Sequence, residues 1–270
     1  MAHKNKSNWS PMKSKSGSKH KKPTESYSFN EADDRVYDVF RNHGFGDFPH
    51  KQRQQLTRFY ELLMEHQQKQ NFTRLLNLRE VAIKHFVDSL MVLKVAELSF
   101  PLLDVGTGPG FPGIPLKIAL PDKRIILAEG VQKRVEFLKV VREDMSLKQL
   151  DIIGRNVGPD FMYPVNGVIT RAVEDASNTL GNVLQCLQTG GRVFLMKGPN
   201  CEPEIEPALK KWGEFYELEK NIPYSLPNSQ HERTLLIFKK IRRAPEVDLG
   251  KIIEAEEDAD EIGGRKEAGS

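Results

Sequence analysis

The apolar positions of this chain change their period along its length. Over residues 29–96 they recur as on helices. Val36, Tyr37, Val39 and Phe40 fall within a helical stretch, 31–43, that Gly44 closes as a C-terminal cap. After Pro49, the residues Leu56, Phe59, Tyr60 and Leu63 stand at i, i+3, i+4 and i+7, a single stripe that belongs against a core. Asn71-Phe72-Thr73 breaks the pattern, and a third helix is predicted over 80–96. From residue 101 onward, short apolar runs replace the long stripe. They predict strands at 101–105, 125–129, 149–154, 166–171 and 192–197, the last one entered through a Gly190-Gly191 turn. Helical segments near 112–120, 133–145, 175–187 and 204–211 separate or follow them. Two final strands, 215–221 and 234–240, have no helix between them. Alternating strands and helices predict an α/β fold with a mostly parallel, doubly wound sheet, and the closing pair predicts an antiparallel last strand.

One turn carries the candidate chemistry. The run Leu102-Leu103-Asp104-Val105 leads into Gly106, Gly108 and Gly110, followed by the apolar segment 114–120. Glycine at every second position lets the backbone bend sharply and approach a ligand closely. A helix starting near Pro112 would aim its free N–H groups at the same space. In an open parallel sheet such a crevice is the usual ligand site. Gly108 to Gly113 satisfy the dinucleotide pattern G-x-G-x-x-G, so a nicotinamide dinucleotide is one reading. The match begins two residues late, however, because Gly106 is the residue that leaves the strand. Glu129, at the end of the next strand, is placed to hold a ribose diol, which points to a nucleoside-containing cofactor. Asp104 would repel a pyrophosphate but suits an ammonium or sulfonium charge. That favours S-adenosylmethionine.

Composition adds bounds. The chain has 270 residues, a net charge of +3 and two cysteines, Cys186 and Cys201, with neither metal spacing nor a disulfide framework. Such a sequence fits one α/β domain with extensions, no metal site, and the reducing cytoplasm. No apolar run approaches the ~18 residues that span a bilayer. Charge is segregated: residues 1–24 carry seven lysines and no acid, whereas the stretch after Arg243 has nine acidic residues against three basic ones. The expected organisation is a disordered basic tail (1–28), a helical extension (29–96), the α/β domain (97–243) and a disordered acidic tail (244–270). The basic arm is a candidate phosphate-tracking element or a plain solubilising tail.

Several separated motifs resemble one family. DVGTGPGFPGIPL, LAEGVQKRVEFL, VITRAV and FLMKG are similar to those of the small-subunit ribosomal RNA guanine-N7 methyltransferases, also called glucose-inhibited division protein B. Upstream, NFTRLLNLREVAIKHFVDSL resembles the family's NLT…KHxxDS segment, and HERTLLIFKK resembles its closing ERxxxxxxK strand. The resemblance covers about 50–240. It implies a class I S-adenosylmethionine-dependent methyltransferase fold, Rossmann-like and seven-stranded, with small-subunit (16S) rRNA or the small ribosomal subunit as partner. It further implies that Gly106, Gly108 and Gly110 pass beneath the cofactor with Phe111 packing on it, that Glu129 holds the ribose, and that Asn156 and Val157 frame the adenine. Arg171 matches the family's strand-end arginine at the cofactor pocket, which makes it a cofactor-binding candidate as well. Arg171 and Lys197, both at strand ends, are expected to converge on the crevice as positioning and electrostatic residues. Asn71, Thr73, His85 and Asp88 are the substrate-side candidates. Departures from the pattern are Glu129 for the usual Asp, Gln132 for Gly, Asn166 for Asp, and Asn156-Val157-Gly158 without an acid.

The chemistry so implied needs no general base, because guanine N7 offers a lone pair and no proton. Catalysis would rest on holding N7 at attack distance and on fixed dipoles. The chain is expected to act as a monomer away from membranes. Two other readings remain open: methylation of a small molecule or protein by the same fold, and a noncatalytic ribosome- or RNA-binding protein.

Overall fold

The computed structural model describes residues 27–70, 72–171 and 174–245. The two expected tails fall outside them except for residues 27–28 and 244–245, and Asn71 also lies outside the described residues. Helices α1 (Phe29–Asn42), α2 (His50–Gln70), α3 (Leu78–Val81) and α4 (Asp88–Val95) come first, with a π-helical turn, Ala82–Val87, joining the last two. The α/β part follows as β1 (Leu102–Val105), α5 (Gly113–Ala119), β2 (Ile125–Ala128), α6 (Gln132–Asp144) and β3 (Leu150–Ile153). It continues with β4 (Val165–Arg171), α7 (Ala176–Asn182), β5 (Leu187–Lys197), α8 (Ile205–Trp212), β6 (Tyr216–Ser225) and β7 (Glu232–Lys240). The seven strands form one sheet in the order β3-β2-β1-β4-β5-β7-β6. All neighbours are parallel except β7, which runs against both β5 and β6. This is the seven-stranded, mostly parallel arrangement that the family resemblance implied. The order reverses between β1 and β4, so the crevice opens at their C-terminal ends.

Local signals account for the boundaries. The Asn77 side chain accepts from Arg79 N at 2.9 Å to start α3, Asp175 accepts from Asn178 N at 2.8 Å to start α7, and Gly44 takes φ 78° beyond α1. Strands β1 and β2 are buried throughout, as expected of a parallel sheet covered on both faces. Two details differ from the sequence expectation. The predicted single third helix carries the π-helical turn in its middle. The helix predicted over 175–187 stops at Asn182, and β5 begins at Leu187. Val165 pairs with Leu187 and Gly167 with Arg192, so the Gly190-Gly191 turn is an irregularity within β5 rather than its entrance.

The core divides by sheet face. Helices α1 to α6 and their connecting turn cover one face through Phe40, Phe59, Phe86, Phe111, Phe137 and the inward residues Ile169, Phe194 and Met196. Helices α7 and α8 cover the other through Leu180, Val183 and Ala208 against Leu103, Val168, Val193 and Leu195. The N-terminal helices are therefore packed into the same core as the sheet. A buried bidentate pair, Arg53 Nε and Nη2 on Asp33 at 3.0 and 2.9 Å, joins α2 to α1. Arg58 joins α2 to α6 through Asp144 at 2.9 and 2.8 Å. No helix among the described residues is long and apolar enough to cross a membrane.

Candidate functional site

The glycine turn after β1 is built around Asp104. Its Oδ2 accepts from Thr107 Oγ1 at 2.6 Å and from Gly113 N at 2.7 Å, which closes the turn and satisfies the first free donor of α5. A Cβ on Gly113 would strike Leu127 and come within 2.6 Å of Asp104 Oδ2, so only glycine fits. Gly106, Gly108 and Gly110 have φ of 64°, 61° and 111°, the left-handed region that glycine adopts without steric cost. Gly106 N and Thr107 N both donate to Ala128 O, at 3.0 and 3.2 Å, anchoring the turn to the end of β2. Asp104 itself is fully buried, and its Oδ1 has no hydrogen-bond partner. Burial pushes its pKa up to about 7; the Thr107 and Gly113 hydrogen bonds and the Arg171 charge offset only part of that rise.

Glu129, just past β2, reaches across the turn. Its Oε2 accepts from Gly108 N at 2.9 Å and its Oε1 from Val131 N at 2.8 Å. Beyond β3, Val157 is buried in the far core, while Asn156 is exposed and lies over Gly130, whose missing Cβ makes room for the Asn156 amide. The expected cofactor-binding residues Asp104, Gly106, Gly108, Gly110, Glu129, Asn156 and Val157 thus line the C-terminal ends of three adjacent strands.

These residues fit S-adenosylmethionine. The unpartnered Asp104 Oδ1 is a desolvated acceptor suited to an ammonium group. A Cβ on Gly108 would meet no atom within 4 Å, so the turn offers bare backbone to open space. Glu129 Oε1 holds one backbone N–H and keeps a further lone pair for a ribose hydroxyl, while Oε2 also accepts from Arg134 Nη1 at 3.5 Å.

A second cluster stands beside the first. Arg171, the last residue of β4, donates from Nη1 to Lys84 O at 3.1 Å and to Asp88 Oδ2 at 3.2 Å. Its Nη2 lies 3.1 Å from His85 Nδ1, and its guanidinium carbon stands 5.3 Å from the Phe111 ring centroid. All three polar partners come from the π-helical turn and the residue after it, a geometry often found at functional sites. Because a guanidinium only donates, His85 Nδ1 is the acceptor and Nε2 carries the proton, which it directs at Thr73 Oγ1, 3.1 Å away. The 3.2 Å approach of Nδ1 to Lys84 O is then a contact rather than a hydrogen bond. Burial, followed by the Arg171 charge, pushes the His85 pKa down to about 3, so the ring is neutral. Gln67 holds Thr73 in place, donating to its carbonyl at 2.9 Å and accepting from its N–H at 2.8 Å.

Three expectations change. Phe111 does not lie open over the glycine turn. It is buried in the core with Phe59 at 5.3 Å and His85 stacked on it at 4.3 Å, because the turn to α5 directs it toward the N-terminal helices. Lys197 does not converge with Arg171. Arg171 follows Ile169 in the pleat and faces the N-terminal helices, whereas Lys197 follows Leu195 and faces α8. There Lys197 donates to Glu174 O and pairs with Glu204 at 2.9 Å. Thr73, His85 and Asp88 do meet, but around Arg171. Sequence reasoning missed Arg233 on β7, whose Nε donates to Asp88 Oδ1 at 2.9 Å. The Glu232-Arg233 pair of the closing motif was its signal. Nothing in the sequence marked Gln67.

The family profile described as rRNA small subunit methyltransferase G matches residues 52–235. A Bdellovibrio bacteriovorus protein named ribosomal RNA small subunit methyltransferase G 2 is 62% identical over 227 residues, covering 84% of this chain and 89% of that protein. A protein of the same name from Syntrophobacter fumaroxidans is 44% identical over 187 residues, 69% of this chain but 38% of its own length. The ribosomal RNA small subunit methyltransferase G of Pelotomaculum thermopropionicum is 37% identical over 206 residues, 73% of this chain and 85% of that protein.

Proposed function

The chain belongs to the rRNA small subunit methyltransferase G family, and we propose that it transfers a methyl group from S-adenosylmethionine to N7 of a guanine in 16S rRNA. The observation that carries this reading is the buried, unpartnered Asp104 Oδ1 at the root of the glycine turn, with Arg171 alongside.

When bound, the cofactor supplies an electrophilic methyl on a sulfonium centre. Asp104 binds the ammonium of its amino-acid end, and the turn 106–110 lets the backbone pass close beneath. Glu129 takes the ribose hydroxyls, while Asn156 and Val157 bound the adenine side. Guanine N7 carries no proton, so no residue has to remove one. Arg171 supplies fixed positive charge at the rim, oriented by three acceptors so that it does not have to reorganise during transfer. A contact from it to the target goes to O6 or to phosphate, since N7 must stay free to react. Thr73, His85 and Asp88 serve by holding Arg171. The reading takes the protein as a monomer acting in the cytoplasm, where a ribosomal substrate is found.

The test is calorimetry with S-adenosylhomocysteine together with transfer of labelled methyl to small subunits from a strain lacking this gene. Binding, and a single methyl mapped by mass to a guanine of 16S rRNA, are the expected results. No heat and no transfer from well-folded protein would overturn the reading; donor binding with transfer only to other substrates would retain the fold and reject the RNA.

A further inference from the structure

Asp88 supplies the carboxylate of the second cluster, and its two oxygens serve different strands. Oδ2 accepts from Arg171 on β4, and Oδ1 accepts from Arg233 on β7. The side chain is 4% exposed, against 17% for Arg171 and 25% for Arg233. A carboxylate so buried beside one guanidinium would be free to rotate and present both oxygens to it, the bidentate geometry that arginine favours. Arg233 prevents this by occupying Oδ1. With Oδ1 taken, Arg171 keeps a single bond to Asp88 and spends its other donors on Lys84 O and His85 Nδ1.

Register makes the arrangement definite. Arg233 pairs with Tyr224 of β6, and two residues further along β7 Leu235 pairs with Met196, the neighbour of Arg171 across β5. Arg233 therefore rises from the same sheet face as Arg171, at the same C-terminal edge of the parallel strands. The Tyr224 hydroxyl is buried on this face without a hydrogen-bond partner, and its pKa rises through burial first and then through the Asp88 charge. It stands close to the cluster but leaves Asp88 to the two arginines.

We propose that Arg233 is a positioning residue for methyl transfer: acting through Asp88, it sets the orientation of Arg171 at the cofactor crevice without itself touching cofactor or target base. The proposal rests on the methyltransferase reading and on the placement of Arg171 given above.

The test compares Arg233→Gln, Arg233→Lys, Asp88→Asn and the double variant Arg233→Gln/Asp88→Asn. The readouts are calorimetric affinity for S-adenosylhomocysteine, kcat, KM for small subunits, and melting temperature. Arg233→Gln is expected to weaken product binding and lower kcat by about tenfold each, with KM for the subunit within about twofold. Arg233→Lys still offers a donor to Oδ1 and should come within about threefold of wild type in kcat, yet below it. In the Asp88→Asn background, Arg233→Gln should add nothing further, the non-additivity of residues acting through one another. A fall in melting temperature alone, with kcat and product affinity unchanged, overturns the proposal. So does an effect confined to KM for the subunit with a salt slope reduced by about one, the signature of a direct phosphate contact. Should Arg233→Gln not fold, Arg233→Lys decides: a lowered kcat at unchanged subunit KM supports the proposal, and wild-type kcat overturns it. If the wild-type protein neither binds the product nor transfers methyl, the functional reading fails instead, whatever the variants do.

Discussion

The imidazole of His85 lies flat against the ring of Phe111, with centroids 4.3 Å apart and planes 21° from parallel. The same imidazole accepts from Arg171 and donates to Thr73, so one side chain links the residue after the glycine turn, a strand-end cation and the loop that precedes α3. One half-buried ring thus bridges Phe111, next to the glycine turn, and the Arg171 cluster.

That ring is neutral in the folded protein, and this has a pH consequence. Its folded pKa of about 3 lies below the ordinary 6.5, so the unfolded state binds the extra proton between those values. The contribution is complete above pH 6.5 and is lost as pH falls toward 3. Urea unfolding of wild type and His85→Gln at pH 7.5 and 5.5 should show the wild-type advantage shrinking by about 1 kcal/mol at the lower pH. An advantage that stays constant or grows would mean a charged ring.

Asp104 behaves in the opposite sense. Its folded pKa of about 7 lies above the ordinary 3.8, so the folded state favours the proton and stability is lost as pH rises from 4 to 7. Asp104→Asn keeps an acceptor for Thr107 and Gly113 but does not titrate. It should gain stability over wild type across that window, by about 1 kcal/mol or more at pH 8, while binding S-adenosylhomocysteine at least about tenfold more weakly. Unchanged affinity would show that Asp104 only closes the turn.

Lys197 should prove structural. Lys197→Met removes the donor to Glu174 O and leaves Glu204 without its cation. The expected result is a loss of about 1–3 kcal/mol in stability, with product affinity and kcat per folded molecule within about twofold of wild type. A collapse of kcat at unchanged melting temperature would return Lys197 to the site.

The Asp33–Arg53 pair offers a control far from the crevice. Against burial, which acts to raise it, the Arg53 hydrogen bonds and charge hold the Asp33 pKa below its ordinary value. Asp33→Ala strands Arg53 in the core and should cost about 3–5 kcal/mol, with methyl transfer by the remaining folded protein intact. Equilibrium unfolding and activity normalised to the folded fraction check this.

What the sequence determined by itself was local. The change of hydrophobic period located the helices and strands within a few residues, because burial of a helix face or a strand pair imposes its period on the nearest neighbours. The alternating glycines, Asp104 and Glu129 were legible for the same reason: they fall within one or two adjacent strand–turn units. The tertiary structure decided how distant residues meet. Arg171 and Lys197 look equivalent as strand-end cations, and only strand register against the two helical layers sends them to opposite faces. Phe111 reads as a cofactor contact until the N-terminal helices supply the aromatic bed that takes it inward. Asp88 and Arg233 are 145 positions apart, and no local pattern pairs them. Their contact comes from folding a helical extension onto the edge where an antiparallel strand returns, and that juxtaposition follows from long-range packing rather than from any stretch of chain.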